Sequence, residues 1–553
     1  METVTQSWID AHEQRILPEG VISVVLGRTD PAQGGAIFSP NGTALSDISE
    51  VMATTPIEDN GRFADPSGTW LLDGNTNLLI AYPTSLKKTV DIDGELYNFP
   101  GYYGRVGYPT VNVSDQYVKI PGITITWSTT FDEFAIDYDV VAYDEGGSVL
   151  STLTVTGNTR VVDYRAMENL QGYSTIEIIV SRWSLPNGYT KIERIRLGYE
   201  LEFGKKDLLS FSFKDYCSPN SLTLPKSSIA FEVYNRNDQW NPANPNGLYG
   251  LLSERLPVKV NVGNIIGGDT QTIPLGMFYL NGWDTPQNGI SAKFEARDLL
   301  LFMDRKFDTA NEYDSDGNIS STVSPYYDSQ GQPIQFDSDP YNYLLEQALW
   351  QAKRAGVQDL DDGYAPFTYE LPTDTQSVQF VLPIGFDFTI GEVIQLVANA
   401  CRCIIHQNRE GYLTILPYNV DSQTHVDYAI AQSVSYRYAE YNLQKQCAQV
   451  VVTDSNGNEL AEYPAVAGEG EIQTVTNPIL TNQTLALAQA QWIYAVLSKR
   501  NTVYGSWRAD PRVDLLDVIE LENKYATQNV MLTEIEYTSN GVLQGSYKGR
   551  VVS

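Results

Sequence analysis

The chain is poor in the residues that build disulfide frameworks and zinc sites. Its four cysteines, Cys217, Cys401, Cys403 and Cys447, are too few and too scattered to cross-link 553 residues, and they fit folding in a reducing cytoplasm. Only three histidines are present, and no cysteine pair has the C-x-x-C spacing of a zinc site. We therefore expect no dedicated metal site and no cofactor.

Positive charge and long apolar runs are also scarce. The chain has 37 Lys and Arg against 68 Asp and Glu, a formal net charge of −31, which disfavours binding to nucleic acid or to anionic membranes. It contains no apolar run of about 18 residues, and its start lacks a basic region followed by an apolar core, so we expect neither a membrane span nor a signal peptide. The motifs G-x-S-x-G and H-E-x-x-H are absent, which removes the usual support for a serine or zinc hydrolase.

Carboxylates are abundant, and they raise two further alternatives. Paired acids for glycoside hydrolysis are defined by their separation in space, so sequence spacing does not exclude a carbohydrate-active hydrolase. The segment Asp314-Ser-Asp316-Gly-Asn318 is similar to the opening of a calcium loop, but Ile319 replaces the required Gly and Pro325 the bidentate Glu. An Asp-rich turn is the preferred interpretation.

Aromatic side chains are present in quantity, with 35 Tyr, 18 Phe and 9 Trp. Such a composition favours β-structure with large half-buried or interfacial surfaces. The chain is too long for one hydrophobic core, which predicts roughly three or four domains of about 150 residues. The expected fold class is mainly β with α+β portions.

One stretch combines clear strands with an unusual loop. Apolar residues alternate with a period of two over 229–233, 258–262 and 290–296, which predicts strands with one apolar face. The loop after the first strand has prolines that exclude helix and a glycine that permits a positive φ, so we expect an ordered, extended structural loop. Its defining residues are Trp240, Asn241, Pro242, Asn244, Pro245 and Gly247.

Three blocks of the chain resemble the tail-hub or minor tail proteins that close the tip of bacteriophage tails and related injection machines. The blocks are LPKSSIAFEVYNRNDQWNPANPNGLYGLL (224–252), GMFYLNGWDTPQNGISAKFEARDLL (276–300) and VMLTEIEYTSNGVLQGSYKGR (530–550). The likeness lies in the ordered set of blocks and not in any invariant chemical motif. It extends over nearly the whole chain and is clearest over 205–305 and 385–553.

The resemblance implies a multidomain tail-hub architecture with two tube-forming β-domains. The expected division is 1–68, the N-terminal strand and loop of the first hub domain; 69–204, an inserted β-sandwich; 205–304, the remainder of the first hub domain; 305–428, an α+β hub domain; and 429–553, a second tube-like domain.

The expected insertion has its own strand pattern, at 120–127, 134–143, 149–155, 175–180 and 192–197, which predicts a β-sandwich. Its end resembles a discoidin-like, galactose-binding-type jelly roll. A glycan would then stack on Trp183 and Tyr189. The favoured alternative is that Trp127 and Trp183 pack in the core, because a tryptophan buries a large apolar area.

Helices are predicted later in the chain. The spacing of apolar residues predicts one over 341–354 and another over 484–497, and Thr389 with Glu392 forms a capping box at the start of a third. Hairpin turns are predicted at 408–411 and at Asn540-Gly541.

The resemblance further implies a structural virion protein that closes the distal end of a phage or phage-like tail tube and forms part of the DNA conduit and host-attachment apparatus. It implies no enzymatic activity, a homotrimer, contacts with neighbouring tail-tip, distal tail and tape-measure proteins, and synthesis in the host bacterial cytoplasm. The genome would pass without specific binding, which suits the acidic charge, although excess charge also serves solubility. The first alternative is a host-surface glycan-binding adhesin that uses 69–204, followed by the carbohydrate-active hydrolase.

Overall fold

The structure is a computed structural model in which the chain divides into two compact units. The first unit comprises Met1–Val25, Glu202–Gln358 and Ala365–Ser553, and the second comprises Leu26–Leu201 with Asp359–Tyr364. The described residues are 4–12, 14, 19–29, 37–40, 78–81, 86–91, 122–128, 131–144, 146–167, 175–184, 189–192, 194–235, 238–244, 247–249, 252, 254–285, 289–336, 339–357, 366–376, 378, 380–422, 428–429, 439–507, 510–522, 525–540 and 543–552.

Strands dominate the described residues, which confirms the predicted mainly β fold class. The helices are α1 Gln6–His12, α2 Pro340–Arg354, α3 Ile390–Ala400 and α4 Gln483–Ser498. The strands are β1 Glu19–Thr29, β2 Ile37–Pro40, β3 Leu78–Ala81, β4 Leu86–Asp91, β5 Gly122–Thr126, β6 Ala135–Tyr143, β7 Val149–Val155, β8 Val162–Ala166, β9 Thr175–Trp183, β10 Tyr189–Ile192, β11 Arg194–Phe203, β12 Leu208–Tyr216, β13 Lys226–Tyr234, β14 Pro257–Ile266, β15 Asp269–Asp284, β16 Ser291–Arg297, β17 Glu312–Tyr313, β18 Ile319–Ser321, β19 Gln335–Phe336, β20 Phe367–Tyr369, β21 Phe380–Val381, β22 Cys403–Gln407, β23 Leu413–Pro417, β24 Tyr428–Ala429, β25 Glu440–Leu443, β26 Cys447–Thr453, β27 Glu459–Tyr463, β28 Glu471–Thr476, β29 Asn501–Trp507, β30 Val518–Glu522, β31 Thr527–Ser539 and β32 Leu543–Val551.

The second unit is a β-sandwich. One antiparallel sheet has the order β2-β4-β9-β6-β7, and the other contains β11, β5 and β8. Apolar residues from both sheets, such as Ile125 of β5 and Ile178 of β9, enclose one core. The sequence predicted β7 with its observed bounds but missed β8. The discoidin-like character of this segment stays a prediction.

The first unit contains a long antiparallel sheet in the order β25-β29-β32-β31-β12-β13-β16-β15-β14. Strand β13 shows why these residues form strands: Ile229, Phe231 and Val233 are buried, and the residues between them are more exposed. This is the period of two that the sequence predicted.

Three helices and two smaller sheets of the first unit share a second core. Helix α3 begins at the predicted capping box: the Glu392 amide donates to Thr389 Oγ1 at 3.2 Å, and the Thr389 amide donates to Glu392 Oε2 at 2.7 Å. Its apolar face, including Ile394 and Val397, is fully buried. The predicted boundaries at 304/305 and 428/429 lie inside this unit and stay predictions.

Buried and half-buried side-chain amides of α3 and of the hairpin that follows it bond to strand β15 and to the segment between β12 and β13. Asn399 Nδ2 donates to the Asn220 carbonyl at 3.0 Å, and Gln395 Nε2 donates to the Leu222 carbonyl at 2.7 Å. Gln407 Nε2 likewise donates to the Met277 carbonyl at 2.7 Å. Because buried polar groups cost free energy when they lack a partner, these bonds fix how the layers pack.

One turn type recurs in five described hairpins. In each, Asp or Asn stands first and Gly fourth, and the glycine φ lies between 75° and 98°, as a type I turn with a glycine bulge requires. The carboxylate of Asp314 accepts the amides of Asp316 at 3.0 Å and Asn318 at 2.8 Å, so its segment is an Asp-rich turn. The five turns are 144–148, 314–318, 328–332, 408–412 and 454–458.

Candidate functional site

The three sequence blocks that carry the resemblance lie side by side in the long sheet. The first block supplies β13, the second β16 and most of β15, and the third β32 and most of β31. Strand β12 joins them, since Phe213 pairs with Ile229 on one side and with Tyr537 on the other. The sheet therefore unites residues that are more than 300 positions apart in the chain.

The loop that follows β13, here called the Trp240 loop (residues 235–249), is anchored by its tryptophan. Trp240 is 0% exposed, and its ring centroid lies 5.0 Å from Phe294 in an edge-on arrangement and 6.0 Å from Phe203. Its backbone amide donates to Asn235 Oδ1 at 2.9 Å. The burial of Trp240 thus anchors the described residues of this loop.

Successive turns continue from this anchor. The amide of Asn244 donates to the Asn241 carbonyl at 3.0 Å, and that of Gly247 donates to the Asn244 carbonyl at 2.9 Å. Gly247 is needed for close approach and not for a positive φ, because an added Cβ would lie 2.7 Å from the Gln239 carbonyl oxygen. Pro242 is exposed, and Pro245 lies outside the described residues.

An edge with exposed apolar side chains lies at the β25 end of the long sheet. Tyr441 is 47% exposed and Leu443 is 61% exposed. Tyr441 pairs directly with Val503, which is only 1% exposed, so both side chains lie on the same face. The face that is buried at β29 is therefore accessible at β25, the last described strand on this side.

A buried charged cluster lies where β12 meets the C-terminal strands. Arg409 Nε lies 3.4 Å from Asp514 Oδ2, and the Tyr537 hydroxyl donates to the Asp510 carbonyl at 3.1 Å. Burial, with the nearby Asp514 carboxylate, raises the pKa of Asp215 well above its usual value. The ion pair between Arg409 and Asp514 offsets the cost of burying both charges where β12 packs against the C-terminal strands. This cluster therefore has a structural role.

A cavity of about 460 Å³, here called the Arg402 cavity, lies between α4 and the end of the β22–β23 hairpin. The Trp492 indole N–H donates to the Tyr418 carbonyl at 2.7 Å, and the Tyr418 amide donates to the Arg402 carbonyl at 3.1 Å. These bonds hold three lining residues in place. No pattern in the sequence indicates the cavity, because its walls come from four separate segments.

Of the two residues proposed for glycan stacking, Trp183 is described with its side chain and Tyr189 is not. Trp183 is 2% exposed, its ring lies 5.7 Å edge-on from Trp127, and its Nε1 donates to Glu133 Oε2 at 3.0 Å. The indole therefore lies in the core of the sandwich. The side chain of Tyr189 lies outside the described residues, so a shared platform stays a prediction.

Within the described residues, no group of three or more His, Cys, Asp or Glu side chains is arranged to hold a metal ion. His406 Nε2 lies 3.3 Å from Thr414 Oγ1, and desolvation of the ring lowers the histidine pKa. None of the described helices is long and apolar enough to span a membrane.

No protein-family model and no curated protein matches the chain. Among solved structures, the 43 kDa tail protein of prophage MuSo2 from Shewanella oneidensis is 13% identical, with 64% of this chain and 96% of that chain covered and a TM-score of 0.40. A tail protein from Neisseria meningitidis MC58 is 10% identical, with 64% and 94% covered and a TM-score of 0.41. The prophage tail protein gp18 from Listeria monocytogenes EGD-e is 12% identical, with 63% and 91% covered and a TM-score of 0.37.

The names of these three neighbours describe them as tail proteins. With identities between 10% and 13% and TM-scores between 0.37 and 0.41, these likenesses assign neither a fold nor a function to this chain.

Proposed function

We propose that this protein is a structural subunit at the tip of a phage or phage-like tail, where it acts as a hub that closes the distal end of the tail tube. The observation that carries this proposal is the adjacency of the three resembling blocks in one sheet. The third block lies more than 200 residues after the other two, yet all three contribute strands to the same part of one sheet. We infer that the three blocks share one structural role. Their role here is to build a wall, since their paired residues are packed aromatic and aliphatic side chains.

The hub would be a homo-oligomer, and we expect a trimer arranged around a threefold axis. The edge at β25 supports self-association, because Leu443 exposes apolar surface beside a strand edge. Such edges invite pairing with another chain unless they are blocked or covered. A second copy of this chain would cover the edge and bury the apolar face.

The conduit role follows from charge. A net charge of −31 repels phosphates, so a genome would slide past the hub walls without being held. The proposed partners are the neighbouring tail-tip, distal tail and tape-measure proteins, and the proposed location is the virion. Synthesis in the host cytoplasm and the absence of a catalytic role belong to the same proposal.

The oligomeric state tests the proposal on the purified full chain. Mass photometry at micromolar concentration should give three times the 61.6 kDa chain mass. Leu443→Lys should shift this population to monomers, because it places a charge in the edge contact. Ile384→Lys is the matched control: it changes an aliphatic residue that is 69% exposed in a turn outside the long sheet, and it should leave the trimer intact.

A wild-type chain that stays monomeric would contradict the oligomer. Equal dissociation by Leu443→Lys and Ile384→Lys would show that the β25 edge is not the contact. If Leu443→Lys remains trimeric, the protein is an oligomer but the β25 edge is not its contact surface.

A further inference from the structure

The Arg402 cavity has the composition of a binding site. Tyr418, Trp492, Pro372 and Pro417 give it apolar walls, and the amides of Asn419 and Gln491 complete the lining. Cavities of about 300–1,000 Å³ with apolar walls and a few polar groups are typical of ligand sites. Arg402 is the one charged residue among the described residues that line it.

The backbone of Arg402 adopts a conformation that favours glycine. Its φ is 58°, and it follows Cys401, the C-cap of α3. This position after a helix is usually glycine, because a side chain in the left-handed region costs about 1–2 kcal/mol. An arginine at this position therefore carries local backbone strain, which points to a role for its side chain.

The guanidinium is only partly paired. Nη2 of Arg402 lies 2.7 Å and 2.6 Å from the two carboxylate oxygens of Asp374. Nη1 is buried and has no hydrogen-bond partner among the described residues. A buried donor without an acceptor is unfavourable, and more so on a charged group, so an acceptor supplied by a ligand would be stabilising here.

A carboxylate is the acceptor that fits these groups best. Since Asp374 already accepts from Nη2, a ligand carboxylate would accept from Nη1 in a charge-assisted bond, which is stronger than a bond to a neutral acceptor. The rings and prolines beside Arg402 would at the same time cover an apolar group attached next to that carboxylate.

We propose that the Arg402 cavity binds a peptide carboxylate that has an apolar neighbour, with Arg402 holding the carboxylate. The carboxylate is supplied by a chain terminus or by an acidic side chain of a partner protein. This inference goes beyond the proposed hub function and does not depend on the oligomeric state.

The test uses three short peptides with the full chain. Acetyl-Pro-Leu carries a terminal carboxylate, acetyl-Pro-Leu amide carries none, and acetyl-Pro-Glu amide carries one only on its side chain. Ligand-observed saturation-transfer NMR should detect binding of at least one carboxylate peptide. The uncharged amide should bind at least about tenfold more weakly than that peptide. The preferred carboxylate peptide identifies the source. If neither carboxylate peptide binds, or if the amide binds equally well, the proposal is overturned.

Variants locate the binding. Arg402→Gly removes the side chain and relaxes the backbone, so the protein should fold and lose peptide binding. Gln491→Lys should strengthen binding several-fold and Gln491→Glu should weaken it, since the residue is an exposed part of the cavity wall. Gln483→Lys, an exposed position on the same helix, is the matched control and should change nothing. Unchanged binding in Arg402→Gly, or equal effects of the two lysine variants, would place the peptide elsewhere.

Discussion

Replacing Trp240 with alanine should loosen both the Trp240 loop and the sheet beneath it. The side chain is fully buried against Phe294 and Phe203. A tryptophan buries roughly 200 Å², which at about 25 cal/mol per Å² gives roughly 5 kcal/mol. Measured Trp-to-Ala changes in cores cost about 3–5 kcal/mol, because part of the cavity persists. We expect a loss in that range for Trp240→Ala.

Hydrogen exchange with mass spectrometry is the suitable assay, since a chain of two units need not unfold in one step. Peptides that cover β13 and β16 should exchange faster in Trp240→Ala, whereas peptides from the second unit should be unaffected. Pro242→Ala changes an exposed residue of the same loop and should stay within about 0.5 kcal/mol of the parent. Protection in Trp240→Ala that matches Pro242→Ala would refute the reasoning, because the loop would then not depend on its buried anchor.

Three further predictions concern other parts of the first unit. Thr389→Ala removes the cap of α3 and should cost about 1 kcal/mol, measured as faster amide exchange in the first turn of that helix; unchanged exchange would contradict it. Gly457→Ala should destabilise its hairpin by about 1 kcal/mol in urea unfolding, because the glycine has φ 81° in open space, whereas Gly468→Ala, also in open space and without a positive φ, should be close to neutral. Burial raises the pKa of Asp298 from 3.8 to about 6, so the folded state holds this proton more tightly. Protonation of Asp298 therefore stabilises the folded state by roughly 3 kcal/mol. This stabilisation is fully present below the pKa of the unfolded chain and is lost as the pH rises through about 6. Asp298→Asn should therefore flatten the pH dependence of the unfolding midpoint between pH 4 and about 6, and an unchanged slope would contradict this assignment.

Local signals in the sequence predicted local structure well. The capping box at Thr389 and Glu392 is present, and the turn at 408–411 forms as predicted. These features depend on neighbours within four residues, so their physical cause is visible in the sequence. Gly247 shows the limit of this reasoning: glycine is compatible both with a positive φ and with close packing, and only the structure distinguishes the two.

Long-range pairing could not be read from periodicity. Phe213 of β12 pairs with Tyr537, which lies more than 300 residues later, and no alternation of apolar residues reveals such a partner. Resemblance supplied the idea that such blocks belong together, and the register is seen only in the structure. The Arg402 cavity was missed for the same reason, since its walls come from separate segments of the chain.

The central claim is that this chain is a shared structural component of a tail tip. Electron cryo-microscopy of assembled particles that contain this protein tests it most directly. We predict three copies around the axis at the distal end of the tube, with the sheet that contains β12 and β31 in the wall. A single copy, or copies found only away from the tip, would contradict the account.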